Sequence, residues 1–249
     1  MCSSDLVSAS DPVTGGAHCA VGGGASDFIV TSTLASQAPP AVGRALGNSV
    51  AHALNVPSAA FPKNFVSYVS LGDGSVNNGH FLSAANLAEY AKHRKYKCPV
   101  VFGVSDNNLC ISLRGHDWLK KFAAQRLGGM ETFACDGSNL LDVFRATKAA
   151  TERARRRREP VALLFHNMPR RFGHAATDRQ SAYLTSEEIA QQAERNPLES
   201  ACLDAVRLGV APSLEALRET MRETRELVKA AFACAAEEPK ITSREAMME

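Results

Sequence analysis

Gly72-Asp73-Gly74-Ser75 is the segment whose residue types first suggest chemistry, joining close backbone approach to a hard carboxylate. It follows an apolar run, Phe65–Leu71, and leads through Val76-Asn77-Asn78 into a helical pattern. Glycines at such a turn let the main chain come close to a ligand. The N–H groups where the helix begins suit an anion such as a diphosphate, and Asp73 beside it suits a Mg²⁺ bridging phosphate and protein oxygens. Asp-Gly is also a common turn dipeptide, so on this segment alone the plain-turn reading comes first. A second segment shifts the balance. The apolar run Pro99–Val104 is followed directly by Ser105-Asp106-Asn107-Asn108. In an open parallel sheet, ligands sit beyond the carboxyl ends of neighbouring strands. Asp73 and Asn108 therefore fall at one edge, although far apart in the chain. A carboxylate, an amide oxygen and a backbone carbonyl just beyond them make half an octahedron, completed by two diphosphate oxygens and a water.

The elements that must position these groups are read from periodicity. Val42, Leu46, Val50 and Leu54 place a helix over Pro40–Leu54, and Phe65–Leu71 reads as a strand. A helix over Gly79–Arg94 precedes the buried strand Pro99–Val104; Met130–Cys135 is a strand, Asn139–Arg157 a helix and Pro160–Phe165 a strand. Apolar strands separated by helices imply βαβ crossovers and a parallel sheet, hence an α/β fold. The C-terminal third is helical instead. It comprises Ser186–Arg195, capped at Thr185-Ser186, then Pro197–Leu208 and a long helix over Ser213–Ala236. That long helix carries an apolar stripe of Leu214, Leu217, Met221, Leu227 and Val228, which packs on its own sheet or on a partner. The expected division is a Gly/Ser-rich segment 1–27, an α/β domain 28–185, a helical extension 186–237 and a tail 238–249.

Composition removes other classes. Lys+Arg 28 against Asp+Glu 26 leaves +2, too little for a nucleic-acid or membrane-surface protein. No apolar run approaches the roughly 20 residues of a membrane span. Seven scattered cysteines without a C-x-x-C pair read as reduced core thiols, not as a zinc site or disulfide framework. With MCSSDLVSAS lacking a basic and an apolar region, an intracellular location is expected. Gly22-Gly23-Gly24 lacks the Lys-Ser/Thr of a phosphate loop. Arg155-Arg156-Arg157-Arg158 closes a helix, where cations facing solvent complement the dipole, and that reading is preferred to phosphate binding.

Gly72-Asp73-Gly74, a helix, a strand and Asn107-Asn108 resemble the thiamine diphosphate motif. Ser32-Thr33-Leu34-Ala35-Ser36-Gln37-Ala38-Pro39-Pro40-Ala41-Val42-Gly43 is similar to a stretch of the α subunit of branched-chain 2-oxo acid (2-oxoisovalerate) dehydrogenase E1. Arg171-Phe172-Gly173-His174, Ser181-Ala182-Tyr183 and Asn196-Pro197-Leu198 resemble that family's histidine loop and the opening of its helical tail. The likeness runs from about Phe28 to Glu237, with the motifs in the family's order.

The resemblance implies thiamine diphosphate with Mg²⁺. The metal would be held by Asp73, Asn108 and the carbonyl of Cys110, and the diphosphate by Gly72, Gly74 and Ser75. Ser32 and Leu34 would line the cofactor, and Arg171 would serve its diphosphate. His174 would be the catalytic histidine assisting acyl transfer. It further implies oxidative decarboxylation of a 2-oxo acid, an E1β-type partner carrying the activating glutamate, and a lipoyl-bearing E2. The compartment would be cytoplasm in a bacterium or mitochondrial matrix in a eukaryote. Three departures stand out. Lys92–Lys97 lengthens the interval between Asp73 and Asn108 at a point away from the cofactor edge. Ala175 and Ala176 stand where mammalian α subunits carry a phosphorylated serine. Residues 1–27 show no counterpart of the family's N-terminal contacts. That last departure favours an alternative, a non-catalytic chain retaining the fold, which Asp73, Asn108 and His174 oppose; a transketolase-like enzyme suits the histidine loop poorly.

Overall fold

The computed structural model describes residue 26 and residues 33–57, 61–111, 113–174 and 178–237. They belong to two compact units: residues 38–201, and the described residues up to 37 together with those from 202 onward. Apart from residue 26, the expected N-terminal segment 1–27 lies outside the described residues, as do the expected tail 238–249, Ser32, Ala175 and Ala176.

Within residues 38–201 the elements alternate. Helix α1 (Ala38–Ala53) precedes β1 (Ser67–Gly72), α2 (Gly79–His93), β2 (Val100–Ser105), a pair of two-residue strands β3 (Leu109–Cys110) and β4 (Leu113–Arg114), and α3 (Trp118–Arg126). Then come β5 (Glu131–Asp136), α4 (Leu140–Arg157), β6 (Val161–His166), α5 (Ser186–Glu194) and α6 (Pro197–Arg207), whose last residues enter the second unit. The four long strands form one parallel sheet in the order β1-β2-β6-β5. This is the α/β architecture expected, with helices flanking a parallel sheet.

Strand β2 is central and buried along almost its whole length, as its unbroken apolar run requires. Phe102 on one face meets Phe81 of α2 edge to face, with ring centroids 5.9 Å apart. Val101 on the other face packs with Ala150 and Ala154 of α4 and with Val161 and Leu163 of β6. Full burial of each valine, leucine and phenylalanine among them contributes about 1.5–3 kcal/mol. The edge strand β1 alternates buried and exposed residues, so one of its faces is uncovered. On that strand, Tyr68 lies across Gly103 of β2, where a Cβ would collide with the phenol.

Helix starts follow the capping residues. Asn78 accepts from the His80 N–H, Asn139 from the N–H groups of Leu141 and Asp142, and Thr185 forms a reciprocal capping box with Glu188. Elements that escaped the sequence reading include the polar helix α3, the short β3–β4 pair and a 3-10 turn at Asp73–Asn77. In the second unit, α7 (Leu214–Glu237) is one long helix on which Leu227 and Val228 are exposed. No helix among the described residues is long and apolar enough to cross a membrane.

Candidate functional site

Register places the site. Gly72 pairs with Ser105 and Ser105 with Phe165, so β1, β2 and β6 end nearly flush. The residues just past those ends are therefore neighbours. Asp73 and Asp106 are both buried there, at 6% and 7% exposure. Burial above all, with Asp106 beside it, pushes the Asp73 carboxyl up to about 6, against the opposing hydrogen bond from the Gly74 N–H. That N–H donates to Asp73 Oδ1 at 2.9 Å.

Asp106 was not among the residues predicted from sequence. Its Oδ1 accepts the Asn108 N–H at 3.1 Å, and its Oδ2 lies 2.9 Å from His166 Nδ1 at the end of β6. Its own N–H donates to the Phe165 carbonyl, while the Met168 N–H donates to its carbonyl. Asp106 thus joins the loop after β2 to the loop after β6. A usable signal existed: Asp106 follows β2 by the same one-residue offset as Asp73 follows β1.

Asn108 sits in a left-handed conformation, φ 58°, and its side-chain oxygen accepts the Asp117 N–H at 2.8 Å. One lone pair of that oxygen remains for another partner. Cys110 is brought to the Asp73 turn, because a Cβ on Gly74 would stand 3.3 Å from its Sγ. Burial first, then the nearby Asp73, raises the Cys110 thiol, with Arg170 opposing. The structure therefore gathers Asp73, Gly74 and Cys110, with Asn108 approaching through its backbone N–H. Ser75 is buried in the same turn and Gly72 ends β1. Among the described residues no group of three or more His, Cys, Asp or Glu forms a metal site. The expected donors, one carboxylate, one amide and one carbonyl, are of a different kind.

The loop after β6 is organised by Arg170, another residue that sequence reading missed. Its Nη1 donates to the Cys110 carbonyl at 3.2 Å, and its Nη2 faces Asp178 Oδ2 at 3.4 Å and the Tyr183 hydroxyl. Asp178 Oδ2 also accepts the His174 N–H at 2.7 Å and the Tyr183 O–H at 2.9 Å. One buried carboxylate thus ties positions 170, 174 and 183 together. Arg170 Nε is buried without a hydrogen-bond partner among the described residues. His174 itself is exposed. Arg171, the predicted residue, is exposed with its guanidinium 5.9 Å from the Phe172 ring centroid. Leu34 is exposed and belongs to the other unit.

Beyond the ends of β2 and β6 a polar cavity of about 450 Å³ opens, lined by Asp106, Asn108, Asn167, Arg114 and Glu188 among others. Arg114 grips Glu188 with both terminal nitrogens at 2.7 Å, closing one wall. The set can bind a cation through buried carboxylates and present an imidazole from a tied loop.

The family model described as dehydrogenase E1 component matches residues 6–244. The 2-oxoisovalerate dehydrogenase subunit alpha of Bacillus subtilis (strain 168) is 30% identical over 204 residues, 78% of this chain and 56% of that protein. The pyruvate dehydrogenase E1 component subunit alpha of Staphylococcus aureus (strain Mu50 / ATCC 700699) is 33% identical over 144 residues, 55% of this chain and 36% of that protein. The chain thus spans about half, or less, of the length of these curated relatives.

Proposed function

This chain belongs to the dehydrogenase E1 component family, and from that premise we propose that it is an E1α-type chain holding the diphosphate and Mg²⁺ of thiamine diphosphate. With an E1β-type partner it would carry out oxidative decarboxylation of a 2-oxo acid, branched-chain acids before pyruvate, and acyl transfer to a lipoyl group on E2. An intracellular compartment is part of the same reading.

The observation that carries it is the buried pair Asp73 and Asp106 at the ends of two neighbouring strands. Burial and the neighbouring Asp106 oppose the ionisation of Asp73, and a hard divalent cation removes that opposition. The donor chemistry therefore fits the metal. Asp73 supplies the anionic oxygen, while Asn108 and the Cys110 carbonyl each keep a second lone pair beside an existing hydrogen bond. Gly72, Gly74 and Ser75 form the turn on which a diphosphate would rest, and Ser32 and Leu34 would line the remainder. When bound, the cofactor supplies the carbanion chemistry of decarboxylation.

The protein's part is positioning. Arg170 fixes the Cys110 carbonyl and, through Asp178, the backbone of His174. His174, held on that loop with its ring exposed, would carry the proton during acyl transfer, with Arg171 serving the diphosphate. The rival, a non-catalytic chain, draws on the internal hydrogen bonds already made by Asn108 and Cys110. Calorimetric titration of thiamine diphosphate with and without Mg²⁺ tests the site, alone and with a β-type chain. Mg²⁺-dependent binding lost in Asp73→Ala is expected. Unchanged affinity in that variant overturns the assignment, and binding without turnover beside a β-type chain selects the rival.

A further inference from the structure

The amino edge of the sheet holds a second cavity, of about 370 Å³, walled by Ser49, His52, Lys63, Lys97, Arg155 and Arg158 among others. Four of those side chains are cationic and no carboxylate lines it. The four cations enter by three routes. Lys63 precedes β1, Lys97 precedes β2 at the end of the lengthened Lys92–Lys97 connection, and Arg155 and Arg158 close α4 before β6. The parallel order of the sheet is what brings these connections together.

The arginine run resolves into different roles. Arg153 turns to Glu131 and Glu159 and is neutralised there. Arg156 and Arg157 are exposed and do not line the cavity, as expected of cations at a helix end. Arg158 caps the helix in a left-handed conformation, φ 62°, with its carbonyl accepting the Cys98 N–H at 2.8 Å. Its guanidinium folds back, donating to Ser49 Oγ at 3.1 Å and to the Lys63 carbonyl. Arg155 Nε donates to the Asn64 carbonyl at 3.2 Å, and its two terminal nitrogens have no partner among the described residues. His52 Nε2 donates to the Phe61 carbonyl at 2.7 Å. Every acceptor of the two arginines is neutral, and among the described residues none of the four cations is in an ion pair. Burial holds Arg158 below its usual value.

We propose that this cavity is a binding site for a phosphate-bearing anion, separate from the site at the carboxyl edge. Like charges gathered in a recess repel one another, and a multiply charged oxyanion relieves that repulsion. A planar guanidinium with its outer nitrogens free matches two phosphate oxygens at once, and two lysines add mobile point charges. A singly charged carboxylate would leave most of the positive charge uncompensated. The six residues of β1 separate the two edges by roughly 20 Å at the usual rise per residue, so one small ligand does not serve both.

Sodium pyrophosphate titrated calorimetrically into the full chain, at low ionic strength with EDTA, is the probe. Saturable binding is expected, weakened at least tenfold in Lys63→Ala/Lys97→Ala and in Arg155→Gln. The surface control Arg156→Ala/Arg157→Ala is expected to bind within a factor of two of the unaltered chain. No saturable binding, undiminished binding in both cavity variants, or an equal loss in the control would each overturn the proposal. All altered side chains are exposed, and thermal melts establish that the variants fold.

Discussion

At the carboxyl edge of the sheet, Asp73 and Asp106 are buried side by side with one imidazole against them. At the amino edge, Lys63, Lys97, Arg155 and Arg158 crowd an open recess with only neutral acceptors. The strands are the same at both edges, and the connections make the difference. At the carboxyl edge the turns fold inward, so their charges lose water and depend on one another. At the amino edge Lys63, Lys97 and Arg155 stay exposed to water, and only Arg158 is partly desolvated. Charge removal should therefore be costly at one edge and nearly neutral at the other.

Arg170→Met makes the sharpest contrast. Asp178 would remain almost wholly buried without its cation, and a loss of about 3–5 kcal/mol in urea unfolding is expected. Lys63→Ala at the other edge should change stability by less than about 0.5 kcal/mol. Equal costs would erase the distinction between the edges. His166→Ala comes next: Asp106 Oδ2 loses the imidazole, and about 1–3 kcal/mol should go with it. A null result would mean that solvent already satisfies Asp106.

Asn139→Ala removes the side chain that accepts two N–H groups at the start of α4, and about 1 kcal/mol is expected in the same unfolding assay. The smallest effect is a titration. Hydrogen bonding to Arg114, then to the Thr185 N–H, holds the Glu188 carboxyl down to about 2 from an ordinary 4.5. An acid lowered on folding stabilises above its unfolded value, so this contribution is full above pH 4.5 and fades as pH falls towards 2. Side-chain NMR should show Arg114→Ala moving the Glu188 midpoint upward; an unmoved midpoint would remove the pair from the wall of the cavity.

The long strands and their helices were legible because their apolar runs are bounded by turn residues, as with Pro99–Val104 ahead of Ser105-Asp106. Helix α3 was not, since Trp118-Leu119-Lys120-Lys121 offers too few periodic apolar positions. The β3–β4 pairing is only two residues long, below what alternation reveals. At the site, the structure sets Cys110 beside the Asp73 turn, and Arg170 was hidden beside Arg171. Adjacent arginines read identically in sequence, and only the fold turns one towards Asp178 while leaving the other beside Phe172. Asp106 was hidden differently, because a carboxylate in a polar turn gives no sign of burial until strand register is known.

The phenol of Tyr68 over Gly103 carries a consequence for how this chain can vary. While Tyr68 stands there, a Cβ at Gly103 meets the phenol, so a substitution at 103 requires the half-exposed Tyr68 side chain to move aside. Tyr68 belongs to the half-covered strand, and its own replacement opens the space. The two positions are therefore coupled: a lineage that first exchanges Tyr68 for a small residue can then fill 103 with alanine or serine directly, whereas the reverse order must first displace the phenol into solvent.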